Sequence, residues 1–147
     1  MIIKDWWYAI KVCRKYKVTW NPFFHRKYAM CKIWWNDSGI SDSRICINPF
    51  YVGFLDSFMH EVGHLVWYRK IAKKSNTVEE FESTIKNTDD LDSEFIAWRY
   101  AKLARKKSFN SKRARWMFST YFPKFAKQVG AIQATDKYYR YDRRIEK

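Results

Sequence analysis

Apolar positions along the chain fall into two periods. Over Trp6–Tyr16 they recur every three to four residues, with Trp6, Ile10 and Cys13 on one face and Asp5 standing where an N-cap belongs, which predicts a first short helix. The period then drops to two. Val18-Thr19-Trp20 is β-prone and stops at Asn21-Pro22, and Tyr28–Trp35 alternates Ala29, Cys31, Ile33 and Trp35 with Tyr28, Met30, Lys32 and Trp34. The turn-rich Asn36-Asp37-Ser38-Gly39 follows, and Arg44–Ile47 reads as the strand returning beside it, closed by Asn48-Pro49. Helical spacing resumes after Asp56 or Ser57, either of which supplies an N-cap, and runs to about Lys70. The acidic, polar stretch Ser75–Asp90 has room for a short helix or a loop. Behind the capping region Asn87–Asp90 a second strong helix is expected over roughly Leu91–Lys107, and helical spacing continues to Gly130, with Pro123 as a kink or break. Helix, small antiparallel sheet, then helices is the order of an α+β domain in which the sheet packs on the helices.

With 147 residues, 47% of them hydrophobic and 20% aromatic, the chain has enough apolar surface for a single domain over 1–147 without disulfide staples. No internal repeat and no Gly/Ser linker divides it. The longest uncharged stretch near the middle, Ile45–Leu55, is well short of the roughly 20 apolar residues needed to cross a bilayer, so no membrane partner is expected. The N-terminus lacks a secretory signal pattern, which leads to the expectation of a cytoplasmic protein. Cys13, Cys31 and Cys46 form neither an even disulfide set nor a C-x-x-C pair, and read as free thiols.

Charge changes the picture in one place. Of the formal net charge of +14, +12 belongs to residues 99–147, where 15 basic residues face 3 acidic ones. The region from about 106 to 147 is therefore a basic, aromatic-rich, helical extension of the domain. Lys112–Phe118, with Arg113, Arg115 and Trp116, and Tyr138–Arg144, with Arg143 and Arg144, mix cations with rings in a way that suits nucleic acid or an acidic protein partner. A solvated basic face on aromatic-packed helices produces the same pattern. No zinc-finger, RNP or helix-turn-helix signature adds to the nucleic-acid reading.

The chemistry lies in His60-Glu61-Val62-Gly63-His64, an H-E-x-x-H motif on the helix after the strands. Residues i and i+4 stack on one helix face, so both imidazoles can reach one zinc ion. Glu61 projects about 100° further round, beside the metal, where its carboxylate suits the acid/base work of amide hydrolysis. Chance places this pattern in such a chain on the order of a few times in a thousand. A catalytic zinc takes three protein ligands and keeps one position open, so a third ligand is required. Glu94 is the preferred candidate: it lies thirty residues after His64, above a line of small residues, Ala97, Ala101 and Ala104, that permits close helix packing opposite Gly63. His25, Asp92, Glu79, Glu80 and Glu82 are the alternatives. Tyr51, Tyr68 and Tyr100 are all available to stabilise an oxyanion, and spacing does not choose among them.

Over about residues 44–105 the chain resembles the ImmA/IrrE-type zinc metallopeptidases. The resemblance rests on the strand ending Ile45-Cys46-Ile47-Asn48-Pro49, the H-E-x-x-H motif, and Glu94-x-x-Ala97-x-x-Tyr100-Ala101, which is similar to that family's E-x-x-A-x-x-F-A helix. It implies a zincin-like active-site helix followed by a helix carrying the third ligand, with His60, His64 and Glu94 on Zn2+ and Glu61 as catalytic acid/base. It also implies that the strand around Ile45–Ile47 borders the cleft and pairs with an extended substrate. SprT-like proteases share H-E-x-x-H, but their third ligand is typically a histidine, and none follows His64 here. The expected function is zinc-dependent hydrolysis of a peptide bond in a protein substrate, one that is acidic or associated with nucleic acid. The alternative is a basic binding or inhibitor protein with a structural or vestigial zinc site.

Overall fold

The β-prone segments assemble into one three-stranded sheet, β1 (Thr19–Asn21), β2 (Met30–Asn36) and β3 (Gly39–Cys46), in the order β1-β3-β2. These belong to a computed structural model that describes residues 2–23, 29–88, 90–114 and 117. The expected antiparallel β2–β3 hairpin forms, from Met30↔Cys46 to Asn36↔Gly39, but β3 starts at Gly39, five residues before the expected Arg44. Its turn is closed by the Ser38 N–H donating to Asn36 Oδ1 at 2.9 Å, and Gly39 takes φ +106°, which an L side chain rarely adopts. The sheet as a whole is mixed, not antiparallel, because β1 runs parallel to β3, Thr19 opposite Arg44 and Asn21 opposite Cys46. Alternation reveals a strand but not the edge it joins: β1 does not turn straight back into β2, and it pairs instead with the far side of β3.

Helix α1 (Ile2–Tyr16) starts earlier than the periodicity suggests, so Asp5 lies in its first turn and does not cap it. Its buried line is Ala9 and Val12, flanked by half-buried Trp6, Ile10 and Cys13. α2 (Phe54–Ala72) is the central element, in contact with β2 and β3, with α1, with α3 (Val78–Asn87) and with α4 (Asp90–Arg105). It is buried without interruption from Phe54 to Leu65, polar Asp56, Ser57, His60, Glu61 and His64 included. Its N-cap is Gly53 at φ 75°, with no side-chain cap. The expected cap residue Asp56 sits inside the first turn and acts between distant segments instead. It pairs with Arg105 Nε at 3.2 Å and accepts the Asn110 backbone N–H at 3.0 Å. That ties the C-terminal end of α4, and the 3₁₀ turn Lys106–Ser108 after it, back to the start of α2.

The ambiguous polar stretch contains α3, begun by Thr77, whose Oγ1 accepts the Glu80 N–H at 3.2 Å. α4 then packs on α2 through the small-residue line. A Cβ added at Gly63 would lie 2.8 Å from both the Cα and the carbonyl oxygen of Ala97, so the two backbones nearly touch. Ala97 and Ala101 are fully buried, but Ala104 is exposed and the line ends one turn early. The core, with Ile45, Ile47, Phe58, Val62, Leu65, Phe95 and Trp98 at its centre, joins sheet, α2 and α4. The expected C-terminal helical region beyond residue 117, with Pro123 and Gly130, lies outside the described residues.

Candidate metal centre

α2 and α4 bring His60, His64 and Glu94 together on their facing sides. His60 Nε2 and His64 Nε2 are 3.1 Å apart, and Glu94 turns one carboxylate oxygen to each, Oε2 at 3.1 Å from His60 and Oε1 at 3.0 Å from His64. Close backbone packing at Gly63 and Ala97 is what lets a carboxylate one turn along α4 reach across to α2. His60 and His64 are buried and Glu94 is half-buried.

The donor set fits a metal ion. With the two imidazole nitrogens 3.1 Å apart and a Glu94 oxygen beside each, all three side chains bring a donor atom to one point that could hold a shared cation. A tetrahedral ion with bonds of about 2.0–2.1 Å holds its donors about 3.3–3.4 Å apart, within a few tenths of an ångström of the separations seen. The Nδ1 atoms of both histidines are buried without a partner among the described residues, so no hydrogen bond there sets the tautomer.

Glu61 lies next to the group, its Oε1 3.9 Å from His60 Nε2. Burial pushes its pKa up, Glu94 adds to that, and His60, His64 and a hydrogen bond from the Cys31 backbone on β2 work in the other direction without cancelling it. At Glu94 burial also acts upward, but the two histidines outweigh it and hold the carboxyl well below the usual range. His64 is the mirror case: burial acts to lower its pKa, and the Glu94 hydrogen bond with the charges of Glu61 and Glu94 raises it above 6.5.

Two aromatic rings brace the imidazoles. Trp98, one turn beyond Glu94 and only 2% exposed, lies over His60 with ring centroids 4.1 Å apart, and Tyr68 stacks on His64 at 6.3 Å. Sequence reading missed Trp98, although its position at i+4 from Glu94 was a usable signal. Of the other tyrosines, Tyr100 is hydrogen-bonded to the Tyr16 hydroxyl and Tyr51 donates toward Met117 Sδ at 3.9 Å, which commits both elsewhere.

Among the described residues, Glu94 is the only candidate for the third position that joins the two histidines. Asp92 and Glu79 are exposed on other faces, Glu80 accepts the Asn76 N–H at 2.6 Å in the α3 cap, and Glu82 accepts from Trp35 Nε1 at 3.1 Å. His25 lies outside the described residues, as do Arg115, Arg143 and Arg144 of the basic region. The three cysteines are free, and burial pushes the Cys13 thiol up to about 11.

One implication of the resemblance needs correction. Strand β3 is the middle of the sheet, and over Arg44–Cys46, the part expected to take a substrate, it is paired with β1 on one side and β2 on the other, so that part has no free edge. The strand that reaches Glu61, through the Cys31 backbone, is β2, whose outer edge has no strand partner among the described residues.

Compared with family models, with curated proteins and with solved structures, the chain matches none.

Proposed function

We propose that the chain is a zinc-dependent peptidase that hydrolyses a peptide bond in a protein or peptide substrate, in the manner of the ImmA/IrrE-type enzymes it resembles. The observation that carries this reading is the meeting of His60, His64 and Glu94 with the buried carboxylate of Glu61 beside them. Two imidazoles and one carboxylate are a donor set zinc takes in hydrolases, where it acts as a Lewis acid on the scissile carbonyl and lowers the pKa of water. Glu61 carries the proton. Its carboxylate takes one from the attacking water and returns it to the leaving amine, and the upward push of burial on its pKa favours holding that proton between the two steps. Trp98 and Tyr68 keep the imidazoles in their orientations. An extended peptide added along the outer edge of β2 would run past Glu61, and the basic region from about 106 would recruit an acidic or nucleic-acid-bound target.

The test begins with bound metal. Wild type, His60→Ala and Glu94→Ala are exposed to zinc and their content is measured by mass spectrometry; about one zinc in wild type and a loss in both folded variants is expected. Glu61→Gln should keep the metal and lose turnover by about 10²–10⁴-fold. Wild type that takes up no zinc rejects the reading.

Burial favours one other reading. His60 and Glu61 are only 4% and 6% exposed, as in a closed structural site of a basic binding or inhibitor protein. There Glu61→Gln would leave function intact.

A further inference from the structure

The end of the molecule where β1 and β3 finish exposes apolar side chains that a soluble surface normally hides. Parallel pairing sends the chain out of both strands at the same end, as Pro22-Phe23 after β1 and as the 47–53 loop after β3; the Ile47 N–H donating to Asn21 O at 3.2 Å holds the two exits together. The first turns of α1 join them, since Trp6 meets Trp20 edge-on at 6.3 Å and Phe50 at 6.0 Å. On this frame Ile3 is 72%, Trp7 56%, Phe23 81%, Phe50 70% and Val52 74% exposed. Exposures of this size mark protruding tips, and a cluster of them is a binding surface more often than an accident.

Cations follow the tips along α1. At about 100° per residue, Ile3, Trp7, Lys11 and Arg14 share the outward face of α1, with Lys4 and Lys15 beside them. All four of these basic residues are exposed, and the only acid of the helix, Asp5, is half-buried. Arg113 adds a guanidinium over Tyr51, at 5.4 Å, beside the 47–53 loop.

We propose that this end seats on an anionic lipid bilayer, with Ile3, Trp7, Phe23, Phe50 and Val52 entering the headgroup region and Lys4, Lys11, Arg14 and Lys15 facing the lipid phosphates. No helix of the described residues is long and apolar enough to cross a membrane, so the contact is interfacial. Ile3 and Val52, at 72% and 74% exposure, have no ring for a base to stack on and gain only by leaving water, which an acyl boundary offers and a nucleic acid does not. Such a contact departs from the expectation of no membrane partner, which was drawn from the absence of a spanning segment alone.

Co-sedimentation of the full chain with vesicles tests this, using phosphatidylcholine alone and phosphatidylcholine with about 30% phosphatidylserine. Binding to the anionic vesicles is expected, reduced about tenfold or more by Phe50→Ser with Val52→Ser and by Trp7→Ser, and weakened by Lys11→Glu in a salt-dependent way. Circular dichroism checks that these surface variants keep the fold. Absence of binding to the anionic vesicles overturns the proposal. So does equal binding by Phe50→Ser/Val52→Ser, because the net charge then suffices. Capture of a single-stranded oligonucleotide through the same residues, without vesicle binding, overturns it in favour of nucleic acid.

Discussion

The candidate metal centre lies on the central helix and the apolar end just ahead of it, and the two break the ordinary partition of residues in opposite ways. Two turns into α2, two histidines and a glutamate are buried; just before its first turn, Phe50 and Val52 stand in solvent. Buried polar groups and exposed apolar clusters are the informative departures from the hydrophobic rule, since each lowers stability and needs a compensating partner. The centre has part of its compensation within the chain, in Glu94 against the imidazoles and the rings of Trp98 and Tyr68. At the apolar end Phe50 meets Trp6 edge-on, and Trp6 in turn meets Trp20. The contrast separates a site that the fold is built around from a surface that the fold merely displays.

That difference should appear first in stability. Trp98→Ala removes a fully buried ring from the core and from the face of His60, and should cost about 3–5 kcal/mol in urea unfolding. Trp98→Phe should recover much of it; a loss below about 1 kcal/mol for the alanine variant would mean that the centre is no better supported than the apolar end. Gly63→Ala comes next. Its methyl meets the Ala97 backbone, so a cost of about 1–3 kcal/mol is expected, in excess of the about 1 kcal/mol that alanine gains in helix propensity.

How far these effects were foreseeable differs between elements. The i, i+4 histidines and the carboxylate between them are visible in the chain because a helix converts spacing directly into a shared face. Glu94 is visible by a second step, from the small residues that follow it. Both steps are local. The edge taken by β1, the use of Asp56 as a tether for Arg105, and the placing of Trp98 on His60 depend on contacts between distant segments. In each case the residue type permitted several outcomes: Asp56 is as good a cap as it is an ion-pair partner. The exposed end was also hidden, because Phe50 and Val52 in a sequence look like any other core residues.

A third measurement sharpens the comparison through pH. Glu61 and Glu94 raise the pKa of His64 above 6.5, so below that raised value the imidazole carries a proton that a metal has to displace. Zinc affinity should therefore fall on acidification, by up to about tenfold per pH unit per proton released, and level off once His64 is neutral. Titration against a competing chelator between about pH 5.5 and 8.5 measures this; a flat profile would show that His64 does not bind the ion. Vesicle binding by the apolar end depends on lysine and arginine and should stay level over the same range.

The smallest effect belongs to the exposed loop. Phe50→Ser removes one edge-on contact to Trp6 from a side chain that is 70% exposed, and the unfolding free energy should move by no more than about 0.5 kcal/mol. A cost several times larger would mean that the ring holds the fold together and is not simply on display.

The near-contact of Gly63 with Ala97 has a consequence in genetic terms. What blocks a side chain at 63 is the Cα and carbonyl of residue 97, which every amino acid possesses, with the Tyr100 Cβ beside them at 2.9 Å, so no replacement at 97 can make room. Relief requires α4 to shift as a body, and Glu94, one turn away on the same helix, shifts with it. A selection that begins from a bulky allele at 63 should therefore return true revertants to glycine and no suppressors on the facing helix.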